Sequence, residues 1–134
     1  MHLLHIVEAV ALDGEPLSGA SEAEAEFIKT RVAETGKAYC AAVAWGIIDV
    51  LDVDAEPLAA IGRLPIALFT HSVLFHSTGD YENNERIKTG YATSYEGRGI
   101  FEISDTIFLL VGQGFRKSVS LKLLNQVPSR SWAP

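Results

Sequence analysis

One cysteine, one methionine and five prolines are all that this 134-residue chain carries of those residues. A lone Cys40 cannot close an internal disulfide, so oxidising conditions offer no covalent bracing. Its setting, Tyr39-Cys40-Ala41-Ala42-Val43-Ala44-Trp45, reads as a small apolar residue inside a core. No window approaches 18 uninterrupted apolar residues, which excludes a membrane-spanning helix. The opening Met1-His2-Leu3-Leu4-His5-Ile6-Val7-Glu8 has no Lys or Arg ahead of its apolar residues and is interrupted by Glu8, so it does not read as a signal peptide, and a cytoplasmic location is expected. Positive charge is scarce too, with 11 Lys and Arg against 17 Asp and Glu and a net charge of −6. A protein that draws its affinity from nucleic-acid phosphates needs the opposite balance.

What is present suffices for one soluble domain, since 48% of the residues are apolar and a chain of this length buries roughly 68% of its unfolded surface. The expected division is a single α+β domain over 1–127 and a loose tail over 128–134. Leu3, Leu4, Val7, Val10 and Ala11 form the stripe of a first helix that Gly14 and Pro16 end. Ser21-Glu22-Ala23-Glu24 is a capping box opening a second helix, with Ala23, Phe27, Ile28 and Val32 inward and a stop at Gly36. Strands follow. Ala41 to Val50 is a continuous apolar run, the signature of a strand covered on both faces. Asp54 caps a short helix closed by Gly62, and Leu64 to Phe75 is the next strand. Arg86 to Tyr95 alternates, Ile100 to Ile103 pairs with Thr106 to Val111, and Ser118 to Leu124 reads as an edge strand with one wet face. The expected fold is therefore N-terminal helices packed on a curved, mainly antiparallel sheet of five to six strands.

His71-Ser72-Val73-Leu74-Phe75, Gly79-Asp80, Ile87-Lys88-Thr89, Gly99-Ile100-Phe101-Glu102 and Asp105 to Lys117, with Asp49-Val50-Leu51-Asp52-Val53 upstream, resemble a family of uncharacterised small proteobacterial proteins of pseudomonad type. The most specific part is the apolar strand followed by Gly112-Gln113-Gly114-Phe115-Arg116-Lys117. The resemblance implies a fold and a bacterial origin, and no activity.

No constellation completes a catalytic motif. Gly112 to Lys117 lacks both the third glycine of a dinucleotide loop and the Gly-Lys-Ser/Thr of a phosphate loop. His76, Asp80, Glu82 and Glu85 collect at a turn without a Ser or Cys nucleophile beside them. His2, His5 and Glu8 lie on one helix face next to a chain end, a poor zinc site. No catalytic residue, metal or cofactor is expected. Charge is the more informative feature: residues 1–80 hold twelve acids against four bases, a net of −8, whereas 81–134 hold five against seven, a net of +2. This favours a non-enzymatic interaction protein, of inhibitor or immunity type, that offers Glu22, Glu24, Glu26, Asp52 and Asp54 to a basic protein partner. A second expectation is an anion-binding protein or enzyme in which His71, Tyr91, Arg116 and Lys117 converge on a pocket of the sheet. A third is a structural protein that forms homodimers by pairing strand 118–124 across a two-fold axis.

Overall fold

The structure, a computed structural model, describes residues 14–78, 86–95, 97 and 99–127. The helix expected at Leu3 to Ala11, the His76 to Glu85 turn beyond Thr78 and the tail 128–134 lie outside the described residues. In chain order the elements are β1 (Glu15–Ser18), α1 (Glu22–Ala33), β2 (Ala38–Val50), α2 (Ala55–Ala60), β3 (Ile66–His76), β4 (Ile87–Tyr91), β5 (Ser94–Tyr95), β6 (Ile100–Glu102), β7 (Thr106–Leu110), β8 (Gln113–Val119) and α3 (Leu121–Asn125). They make an α+β domain in which eight strands form one curled, open, mixed sheet.

β2 is the spine. Its apolar run pairs antiparallel with β3 along one edge. Along the other it pairs in parallel with β7 through Ala38 to Ala42 and then with β8 through Trp45 to Val50. Only Val111 and Gly112 separate β7 from β8, so one edge is passed from strand to strand. The jog shows in two left-handed residues, Ala44 at φ 49° and Gly112 at φ 76°. It is stitched by Val111 N donating to Ala42 O at 2.9 Å and by Trp45 Nε1 donating to Val111 O at 3.2 Å. Beyond the jog the sheet forks: β1 lies outside β8, whereas β6 and then β5 lie outside β7.

The positive φ of Ala44 also shifts which residues face inward. Cys40 before it and Trp45 and Ile47 after it pack inside the curl with Leu68, Val73, Phe101, Phe108 and Leu110, and Cys40 is fully buried. Ile48 and Val50 face the opposite side, where α3 roofs them with Leu124. Tyr39 and Ala41 meet Ile28 and Val32 of α1 on a third, smaller cluster. Of the residues expected inward on α1, only Val32 is buried; Ala23 is exposed, and Phe27 is 64% exposed under the Arg31 guanidinium.

Three expectations are corrected. The sheet has eight strands and is mixed, because β2 meets both C-terminal strands in parallel. Among the described residues the helices do not precede the sheet as a layer: Glu15–Ser18 is itself a strand, and three short helices are spread along the chain. Residues 118–124 are not an edge strand. β8 ends at Val119, the Ser120 side chain accepts from Leu123 N, and Leu121–Asn125 is helical. The homodimer reading thereby loses the strand on which it rested.

Candidate functional site

The two helices that flank β2 leave different openings. On the α1 side the pairing of β3 slips by one residue: Ala42 faces Val73, but Ala41 faces Phe75. Leu74 is the extra residue of a β-bulge, which re-aims its neighbours. Phe75 consequently lies against Tyr39, with ring centroids 5.8 Å apart, on a flank that α1 covers only in part. Leu74 and Phe75 stay 45% and 41% exposed. Between them and α1 runs a groove of about 330 Å³, floored by Ala41 and Val111 and walled by Glu22, Ala25, Glu26 and Lys29, which succeed one another at helical spacing. Lys29 Nζ sits 4.8 Å above the Phe75 ring, so that cation is committed to the wall. Among the described residues neither Glu22 nor Glu26 is in an ion pair. Glu24 differs, because its carboxylate accepts from Ser21 N at 3.2 Å in the capping box.

The other expected acids lie elsewhere. Asp52 and Asp54 are exposed in the connection after β2, beside Leu51 (62% exposed), Ile61 (70%) and the short α2, which buries no residue. Asp54 occupies the N-cap position without a side-chain cap bond. From Ala41 under α1 to Val50 at the end of β2 is at most about 30 Å of chain. The five carboxylates therefore form two acidic surfaces rather than one face.

Of the four residues expected to hold an anion, Arg116 lies on the other face of the sheet from Lys117 and Tyr91. Arg116 neighbours Ile47 in register, inside the curl, where its Nε and Nη2 donate to the two carboxylate oxygens of Asp49 at 2.8 and 2.9 Å. That bond, first among the causes, holds the guanidinium above its ordinary pKa. Burial raises the Tyr95 phenol, against the nearby Arg116 charge, and the Tyr95 ring lies 6.0 Å from that guanidinium. Asp49 already fills the fork through which Arg116 was expected to take an anion. Lys117 neighbours Ile48 on the opposite face, Tyr91 packs there against the Ile48 cluster, and His71 meets Phe69 edge-on at 5.0 Å. Gly112 to Lys117 is no phosphate loop either. Gln113–Val119 is strand, and Gly114 stands within it because the Trp45 ring occupies the place of a side chain: a Cβ on Gly114 would lie 2.4 Å from that ring. His76 is buried, with Thr78 Oγ1 2.9 Å from its Nδ1.

The residue that the sequence reading passed over is Lys88. In the alternation Ile87-Lys88-Thr89 it reads as a solvated position, but α3 packs beside it. Its Nζ donates to Leu124 O at 2.9 Å, and burial lowers its pKa.

Fold and site together define a small α+β domain with a forked mixed sheet, an acidic apolar groove and no assembled catalytic set among the described residues. The chain belongs to the family described as domain of unknown function (DUF6957), whose model matches residues 18–126. No curated protein and no solved structure matches it.

Proposed function

We propose that this domain is a non-enzymatic interaction protein whose groove between α1 and β3 receives a segment of a basic protein partner. An inhibitor or immunity-type factor, which covers cations on its target with carboxylates, is the role such a groove serves most directly. The observation that carries the reading is the pairing of an apolar floor, Leu74, Phe75, Ala41 and Val111, with the carboxylates of Glu22 and Glu26 on one wall, which are in no ion pair among the described residues. An apolar anchor flanked by Lys or Arg fits both halves. The groove is favoured over the Asp52 and Asp54 surface because its floor belongs to the sheet and needs little ordering on binding, whereas α2 buries no residue.

The test is capture from native-host lysate on immobilised wild type, E22K/E26K, L74S and D52K/D54K, with mass spectrometry across a salt series. The expected result is a protein retained by wild type and D52K/D54K, lost with E22K/E26K and L74S, and released by salt. Retention that is equal on all four baits, or indifferent to salt, rejects the reading.

A further inference from the structure

On the face opposite the curl, α3 and β4 enclose a second cavity, of about 220 Å³, lined by Ala67, Lys88, Gly90, Tyr91, Leu121, Leu124 and their neighbours Thr89 and Asn125. Its polar groups differ in what they have left to offer. Thr89 Oγ1 is spent within the fold, accepting from Leu68 N at 2.9 Å and donating to Gly90 O at 2.8 Å. Lys88 is not. An ammonium has three protons to donate, and the Leu124 carbonyl takes one of them. Among the described residues no carboxylate pairs with Lys88. A half-buried cation without a counter-charge is an expensive group to keep in a fold, and an incoming anion removes that expense. The rest of the lining is apolar: Ala67, Leu121 and Leu124, with the Tyr91 ring. The cavity is reached past Gly90, where a Cβ would meet nothing within 4 Å.

We infer that this cavity binds a small amphipathic organic acid, its carboxylate on Lys88 and its short apolar tail against Leu121, Leu124 and Ala67. The volume sets the size, since 220 Å³ holds on the order of seven water-sized groups. That is the bulk of a short-chain monocarboxylate. The site is independent of the α1 groove, so either reading can fail while the other stands.

The experiment titrates isotope-labelled wild type with sodium hexanoate, hexanamide and inorganic phosphate, followed by amide chemical shifts. Expected are saturable shifts with hexanoate in Ile87–Tyr91 and Leu121–Asn125, at a dissociation constant at least tenfold below that of hexanamide. In K88M the hexanoate affinity falls at least tenfold, and in G90F, which adds bulk at the open wall without touching the ammonium, it weakens as well. The contrast between hexanoate and hexanamide is read on wild type and so survives a variant that fails to fold. Equal response to hexanamide means an apolar cavity only, and equal saturation by phosphate means an adventitious ion only. Either result, or hexanoate affinity unchanged in both variants, overturns the inference.

Discussion

Lys88 shows what one charge costs when a helix roofs the face of a strand. Burial alone lowers its pKa from 10.5, so between that lowered value and 10.5 the unfolded chain binds more protons than the folded one. Stability from this group therefore rises with pH through that window, as the penalised ammonium is relieved of its proton. Urea melts of wild type and K88M at pH 7 to 10 check the sign: the difference, wild type minus variant, grows more favourable to wild type as pH rises. Taking the difference also cancels Tyr95, whose raised pKa destabilises the fold only above its ordinary value of 10. The remaining titratable group in the lining is Tyr91, present in both proteins. Ala44 offers a test of backbone strain in the opposite direction. It is exposed, with φ at 49°, a conformation that costs a residue with a Cβ about 1–2 kcal/mol. Glycine removes that cost and adds about 0.5–1 kcal/mol of unfolded-state entropy. A44G should thus raise stability by roughly 0.5–1 kcal/mol, visible as a higher urea midpoint at unchanged slope.

Between elements, two glycines act as sockets for the rings of the neighbouring strand. Trp45 lies over Gly114 on the inner face, and Phe115 lies over Gly46 on the outer face, each ring 2.4 Å from where a Cβ would stand. Because Trp45 pairs with Gly114 and Gly46 with Phe115, the two contacts lock the parallel register of β2 on β8 from both sides. G114A should cost about 1–3 kcal/mol through overpacking, measured by denaturant unfolding. In a double-mutant cycle with W45L the combined cost should fall short of the sum, since the smaller side chain makes room for the added methyl. The helix start is equally local: losing the Ser21 cap in S21A should cost about 1 kcal/mol. Local chemistry of this kind was legible in the sequence. The Ser21 and Glu24 box, the two-sided run of β2 and the β6 to β7 hairpin all follow from neighbours within a few residues. At 118–124 the local pattern fits two periods. Val119, Leu121 and Leu123 alternate, but Leu121 and Leu124 are also three apart, and the Ser120 cap decides for a helix. Pairing partners were not legible, because apolar alternation does not record which distant strand completes the ladder. The parallel β2 to β7 and β2 to β8 contacts, and with them the fork, lay beyond it. The site suffered from the same blindness: without α3 in place Lys88 looks solvated, and without Asp49 on the neighbouring strand Arg116 looks available.

Across the whole molecule, the net charge of −6 divides unevenly, −8 over residues 1–80 and +2 over 81–134. The fold then separates the acids by place as well as by sequence. Glu22 and Glu26 stand beside the α1 groove, whereas Asp52 and Asp54 stand past the far end of β2. Up to about 30 Å of strand lies between them, against a screening length of about 8 Å at physiological salt. At that ionic strength each group acts on an approaching partner alone. A basic partner steered to the groove should therefore feel Glu22 and Glu26 and be indifferent to Asp52 and Asp54. Association rates of the captured partner, measured from 25 to 400 mM salt, should fall steeply for wild type and for D52N/D54N and follow a flatter line for E22Q/E26Q. Dissociation should change little between these three proteins, because rim charges act mainly on encounter, whereas L74S should speed dissociation by removing an apolar contact at the groove floor. Parallel salt lines for wild type and E22Q/E26Q would place the contact surface elsewhere on the molecule, and a flattened line for D52N/D54N would move it to the end of β2.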